Sequence, residues 1–337
     1  MADLKTRYLG LDLKNPLVPS ASPLSRDLDS ARNLEDAGAA ALVMYSLFEE
    51  QILAEEKHYE RFLHNQALGH GEASSFLPDL PGYQSSFEKY LSQLEALKQH
   101  LDIPVIASLN GVSEEGWVEY GRELESAGAD ALELNVYYVA ANANESAADV
   151  EQRYLDVLTQ LKNVVRLPIA IKLSPQFSSP IHFAGQLQQA GASAVVIFNR
   201  FYQCDINLET LEVEPALQLS NSYESLLRIR WAAMLRSALE MDIAVTGGFH
   251  ECGDIIKGIL AGANAVQLCS VLLQEGPERV ADLITGMEFW MDENEYESVT
   301  QMCGSLSYSK AANPAAYERE NYISALDSFT PPPGVRY

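Results

Sequence analysis

The chain has 337 residues, 47% of them hydrophobic and 21% charged, with a net charge of −24. That is enough apolar material for one large core, and so acidic a surface argues against nucleic acid or an anionic membrane as partner and suits solubility. No apolar run approaches the ~20 residues of a membrane span, the first residues do not read as a secretory leader, and the four cysteines show no CxxC spacing, so a reduced, cytoplasmic protein without structural zinc is expected.

In chain order, residues 4–13 predict a hairpin. An apolar run over 17–22 predicts strand 1, ending in Ala21-Ser22-Pro23. Residues 28–37 predict a helix with Leu34 and Ala37 inward, and 41–46 predict strand 2, ending at Ser46. The rhythm then breaks over 47–100: helical spacing over 47–64, a Gly/Pro/Ser-rich loop over 70–86, and a helix over 87–98. A long insertion at a strand's C-terminal end is where a lid or pocket wall would sit, with a decorated surface loop as the alternative.

Strand 3, over 105–109, ends at Asn110-Gly111, and Ser113 is placed to cap the next helix with Glu114 and Glu115 in its first turn. Strand 4, over 131–136, presents Asn135 and the pair Tyr137-Tyr138 at its end, before a helix over 150–164. Strand 5, over 169–173, contains Lys172, and strand 6, over 194–198, ends at Asn199-Arg200. Residues 205–214 alternate apolar and polar, which predicts a small β excursion over the strand ends. A helix over 226–239 leads to strand 7, which stops at Gly247-Gly248. Ile255, Ile256, Ile259 and Leu260 then fall at helical spacing, and strand 8, over 265–268, ends at Cys269-Ser270. A last amphipathic helix covers 278–291, and the prolines at 331–333 predict an extended tail.

A turn of the form Ala-Gly-Ala recurs at Gly38, Gly128, Gly191 and Gly262, each time between a helical segment and an apolar strand. Glycine just past a helix end is a stop signal, and alanine lets the helix sit close to a sheet. Four such strand–helix–strand units give eight strands. The prediction is an α/β fold, a (β/α)8 TIM barrel with its site at the C-terminal strand ends and the 4–13 hairpin closing its bottom; an open doubly wound sheet is the rival. Residues 1–337 then form one domain, with 47–100 and 200–225 as insertions over the barrel mouth.

The strand ends carry the candidate chemistry. Gly247 and Gly248 permit close backbone approach, and Cys269-Ser270 adds a hydroxyl, so loops 7 and 8 together suit a phosphate, that of FMN or of a sugar phosphate. Lys172, in an otherwise apolar strand, needs an anionic partner if it points inward. It could form a Schiff base, as in a lyase, or stabilise a reduced flavin. Asn110, Asn135 and Asn199 offer donors and acceptors to a planar ligand, although asparagine is also an ordinary turn residue. The six histidines show no metal-binding spacing.

With these positions assembled, the chain resembles the dihydroorotate dehydrogenase family of FMN barrels, in its soluble class. NPLVPSAS (15–22), AGADALELN (127–135), PIAIKLSP (168–175) and AVTGGF…AGANAVQLCS (244–270) carry the likeness. It implies FMN as cofactor and oxidation of dihydroorotate, or a related dihydropyrimidine, as activity. Ala21, Ser22, Ser46 and Asn110 would border the flavin, and Lys172 would contact its ring. Asn135 and Asn199 would serve flavin or a pyrimidine-like substrate, and Gly247, Gly248, Cys269 and Ser270 the phosphate. An unidentified electron acceptor and a homodimer complete the expectation. The departures lie on the substrate side. The family's Cys or Ser base position holds Tyr138, its second substrate asparagine is Ala140, its strand-2 lysine is Tyr45, and Arg200 replaces a small hydroxyl residue and could contact substrate. A tyrosine works as a base only if a nearby cation lowers its pKa. An FMN protein that has lost dihydroorotate chemistry, with an electron-transfer or regulatory role, is therefore the alternative.

Overall fold

The computed structural model describes residues 2–55, 85–111 and 117–330. Eight strands form one parallel sheet: β3 (Leu17–Pro19), β4 (Leu42–Phe48), β5 (Val105–Asn110), β6 (Ala131–Asn135), β7 (Ile169–Leu173), β8 (Ala194–Ile197), β11 (Asp242–Thr246) and β12 (Ala265–Leu268). Their spatial order is β3-β12-β11-β8-β7-β6-β5-β4. The two ends meet, with Ala40 N donating to Leu17 O at 3.0 Å. This is the expected (β/α)8 barrel.

Alternation along each strand explains both cores. The outward residues Leu132, Leu134, Ile169, Ile171, Leu173, Val195 and Ile243 join the large cluster between sheet and helices. The inward residues of the lower barrel are apolar and mostly small: Val18, Ile106, Ala131, Ala170, Ala194, Ala244 and Ala265. The antiparallel hairpin β1 (Thr6–Tyr8) and β2 (Leu11–Leu13) pushes Tyr8, Leu9 and Leu13 up against them and closes the bottom. One step higher, the inward positions turn polar, with Ser20, Ser108, Glu133, Lys172 and Gln267 all buried. One step higher again stand Ser22, Ser46, Asn110 and Asn135. Hydrophobic fill below and polar groups above aim the barrel's chemistry at the C-terminal strand ends.

The helices follow their capping chemistry. Asp27 caps α1 (Leu28–Asp36), and capping boxes at Ser85 and Ser146 start α2 (Ser86–His100) and α4 (Ala147–Lys162). Between these last two lies α3 (Trp117–Ser126). Ser113, expected to cap it, lies outside the described residues, as do most of the 47–100 insertion and the 331–333 prolines. Helix α5 (Pro180–Gln189) precedes β8, and α6 (Ser225–Ala238) and α7 (Cys252–Ala261) flank β11. The Ala-Gly-Ala turns stop helices as expected; Gly38, at φ +104°, takes the backbone that a side chain disfavours.

Two strands end two or more residues from expectation. The β3 strand ends at Pro19 because Ser22 leaves the sheet to cap the short helix Pro23–Ser25, its hydroxyl accepting from Leu24 N. The β4 strand runs to Phe48, with a register shift against β5 between Val43 and Ser46. Beside that shift, the buried Tyr90 hydroxyl accepts from Ser108 N at 2.9 Å. The β excursion is a two-stranded ladder, β9 (Cys204–Asn207) with β10 (Glu212–Pro215). Helix Glu320–Asp327 was not foreseen, although Tyr322, Ile323 and Leu326 share one face of it; that face is exposed, and at eight residues the helix offers only one repeat of the pattern.

Candidate active site

Two adjoining hollows open above the polar layer. The larger, about 680 Å³, is lined by Tyr45, Ser46, Asn110, Asn135 and Tyr137 among others. The smaller, about 250 Å³, is lined by Thr246, Gly247, Gly248, Gln267, Cys269 and Ser270 among others. Ala21, Ser22, Lys172, Asn199 and Tyr202 border both. The strand ends chosen from sequence therefore meet around one elongated space, with Lys172 and Asn199 at its waist.

Lys172 points inward and is 7% exposed. Its ammonium lies 3.0 Å from Glu133 Oε1, 3.2 Å from Ser20 Oγ and 3.4 Å from Gln267 Oε1. Glu133, at 1% exposure, supplies the anionic partner that the buried lysine requires. The Lys172 Nζ is engaged by three acceptors, which does not favour Schiff-base chemistry. Asn199 Nδ2 donates to Asn135 Oδ1 at 2.7 Å, so those two amides work as a unit. Ser46 and Ser108 share a hydroxyl contact of 2.9 Å.

At the smaller hollow, Ser220 ties the loops after β11 and β12 together. Its amide donates to Ser270 Oγ at 3.1 Å, and its hydroxyl accepts from Gly248 N at 3.3 Å and sits 3.0 Å from His250 Nε2. Gly248 has φ +94°, and a Cβ there would lie 2.3 Å from Ser225 N. Beneath the loop, the buried Arg228 donates to Thr246 O and Glu224 O at 3.0 and 2.9 Å. Burial lowers the Arg228 pKa, against an opposing pull from Glu224. Burial likewise pushes the Cys269 thiol up, opposed by Lys172 and Arg200, which suits a packing residue rather than a nucleophile.

Two expected roles do not match the geometry. Tyr138 lines neither hollow. Its hydroxyl donates to Glu145 at 2.7 Å, and Arg153 covers its ring at 4.4 Å. The Glu145 hydrogen bond raises its pKa, with burial adding and Arg153 opposing. The cation that a tyrosine base needs is present, but the carboxylate beside it outweighs it. Tyr137 is the one that faces the larger hollow. Arg200 borders the smaller hollow only, beside Gly247, Gly248 and Ser270, and is held by Glu224 at 2.8 Å.

A family model described as dihydroorotate dehydrogenase matches residues 79–291, well over half of the chain. The chain belongs to the dihydroorotate dehydrogenase family. One relative is the dihydroorotate dehydrogenase B (NAD(+)) catalytic subunit of Thermoplasma acidophilum. It is 26% identical over 313 residues, covering 90% of this chain and 99% of the relative. Another is the dihydroorotate dehydrogenase A (fumarate) of Lactobacillus delbrueckii subsp. bulgaricus, 27% identical over 283 residues, 82% of this chain and 89% of the relative. A third, from Methanothermobacter thermautotrophicus, again carries the B catalytic-subunit name and is 24% identical over 310 residues, 89% of this chain and 97% of the relative.

This dihydroorotate dehydrogenase family member has an inward lysine and a glycine pair at its strand ends, and its loop after β6 reads NVYYVA. Glu133, Gln267, Ser20, Ser220 and His250 escaped the sequence reading, and Tyr137 was seen only as the neighbour of Tyr138. For the first two a signal existed. In ALELN and AVQLC a polar residue follows an alanine at the two-residue inward period, as Lys172 does in IAIKL. Ser220 and His250 carried no such periodic mark.

Proposed function

We propose that the chain is an FMN-dependent oxidoreductase acting on a C–C single bond of dihydroorotate or a related dihydropyrimidine. The observation that carries this reading is the shared space. A buried lysine and a pair of amides stand at its waist, and a glycine pair with serine hydroxyls stands at its narrow end, in a chain of this family. The donor set fits FMN. Backbone N–H and hydroxyl groups at Gly247, Gly248, Cys269 and Ser270 suit the phosphate. Lys172, Asn135, Asn199, Asn110, Ser46 and the Ala21-Ser22 turn suit a polar, planar ring.

When bound, FMN supplies the two-electron acceptor. The chain's own residues orient ring and substrate and exclude water. Lys172 holds positive charge at the waist of the space, and Asn135 with Asn199 offers paired amide contacts. Tyr45, Tyr137 and Tyr202 wall the substrate end. Tyr137 is the strand-4 hydroxyl that can reach a ligand there; it accepts from Tyr202 N at 3.1 Å. Residues 1–337 are read as one cytoplasmic domain with a homodimer as its assembly, which light scattering checks.

The purified protein is expected to be yellow and to release FMN on denaturation, and dihydroorotate is expected to bleach it anaerobically. A colourless protein that takes up no added FMN refutes the reading. Reoxidation by fumarate compared with NAD(+), the acceptors in the relatives' names, then identifies the partner in electron transfer. The second reading is an FMN protein without dihydroorotate turnover. What favours it is the diversion of Tyr138 to Glu145. Its signature is a yellow protein that another reductant bleaches and dihydroorotate does not.

A further inference from the structure

The polar layer inside the barrel is a closed ring of hydrogen bonds. Lys172 donates to Glu133 Oε1, Ser20 Oγ and Gln267 Oε1. Ser20 Oγ donates to Gln267 Oε1 at 3.1 Å, and Gln267 Nε2 donates to Glu133 Oε2 at 2.5 Å. These contacts use all three N–H bonds of an ammonium. They fix the Gln267 amide with its oxygen toward Lys172 and its nitrogen toward the carboxylate. Glu133, Lys172 and Gln267 come from three different strands and Ser20 from the end of a fourth, so only closure of the barrel assembles them. Below them lies the fully buried Tyr8. Burial first, and then the nearby Glu133 carboxylate, push its hydroxyl pKa up.

Lys172, Ser20 and Gln267 all border a hollow, but Glu133 borders neither. The carboxylate therefore has no route to a ligand except through its partners. In this low-dielectric interior its charge is still felt. We propose that Glu133 is a positioning and charge-compensating residue. It holds the Lys172 ammonium at the waist of the site and cancels most of that ammonium's charge, and so sets how readily the bound ring accepts negative charge. This rests on the FMN reading above. A lysine alone would leave a full positive charge at the waist of the site. Lysine with Glu133 leaves an oriented pair, with its positive end toward the ligand and its negative end in the barrel.

The pair predicts opposite signs for its two halves, which a purely architectural role does not. Sulfite adds to oxidised flavin and leaves negative charge on the ring, so its dissociation constant reads the local field without any turnover. In the FMN-loaded protein, Glu133→Gln leaves a net positive site and is expected to tighten sulfite by about tenfold or more. Lys172→Gln leaves a net negative site and is expected to weaken it by about tenfold or more. The double variant restores neutrality and is expected to lie within about threefold of the unmodified protein. The midpoint potential should move in the same order.

Glu133→Gln that leaves sulfite affinity unchanged, or weakens it as Lys172→Gln does, overturns the proposal. A double variant as weak as Lys172→Gln alone also overturns it. Should Glu133→Gln fail to retain FMN, the double variant, in which no buried charge is unpaired, decides by the same criterion. FMN content per chain is measured on every variant. An unmodified protein that binds no FMN refutes the proposed function, whereas a yellow protein whose variants all bind sulfite alike refutes the role of Glu133 alone.

Discussion

Tyr137 and Tyr138 leave the end of β6 in different directions, and their surroundings separate their roles. Tyr137 packs against Phe201 with ring centroids 4.2 Å apart and planes tilted by 34°, and it borders the larger hollow. Tyr138 is engaged by Glu145 and Arg153 on the flank of the barrel. Tyr138→Phe should therefore leave the rate of substrate-driven flavin reduction within about twofold, since general acid–base groups typically contribute far more than that. Tyr137→Ala should raise the substrate KM by about tenfold, because an aromatic contact of about 1 kcal/mol and part of the wall are lost. Rapid-mixing reduction with each variant checks both. A large rate loss in Tyr138→Phe would return the base role to that residue and would require the loop to rearrange when substrate binds.

At the scale of elements, the turn from β11 into α7 is fixed by what packs beneath it. Gly247 and Gly248 both have positive φ, +86° and +94°. Their neighbours differ. A Cβ on Gly247 would meet the Arg228 guanidinium at 3.0 Å, whereas one on Gly248 would meet the backbone N of Ser225 at 2.3 Å, at the start of α6. A side chain need give by only a few tenths of an ångström at the first distance, although Arg228 is hydrogen-bonded; at the second, a helix N-terminus cannot yield without moving the helix. Gly248→Ala should therefore destabilise the protein more than Gly247→Ala, by about 1 kcal/mol or more. Urea denaturation of the two variants measures the difference. Gly248→Ala should also weaken FMN retention, because the Gly248 amide and Ser220 would move with the turn.

At the scale of the whole molecule, the ring of eight strands was legible because it is periodic. The Ala-Gly-Ala turns at Gly38, Gly128, Gly191 and Gly262 mark its repeats, and the alternation in IAIKL shows which side of β7 faces inward. What closure brings together was not legible. Lys172 meets Ser20 across 152 positions and Gln267 across 95, and no local pattern encodes such a partnership. Ser220 reaches Gly248 only because the 200–225 segment folds back over the barrel, pinned by Arg200 to Glu224. The same long-range closure operates at the barrel bottom. Asp242, at the start of β11, accepts from Leu9 N at 2.8 Å and so anchors the plug that carries Tyr8. Burial raises the Asp242 pKa, against hydrogen bonds from Leu9 and Gly10 and the charges of Arg236 and Arg7. A carboxyl whose pKa is raised on folding favours the folded state below its ordinary value, and that contribution is lost as pH climbs through the raised value. Asp242→Asn keeps an acceptor for Leu9 N and cannot ionise. The stability of Asp242→Asn relative to the unmodified chain should therefore increase between about pH 4 and pH 7, whatever the other carboxylates do, because their titration is common to both proteins. Urea midpoints across that range test it. A gap that stays constant with pH would mean that the hydrogen bonds to Leu9 and Gly10 offset the whole effect of burial, and that the charged carboxylate is no burden to the closed barrel.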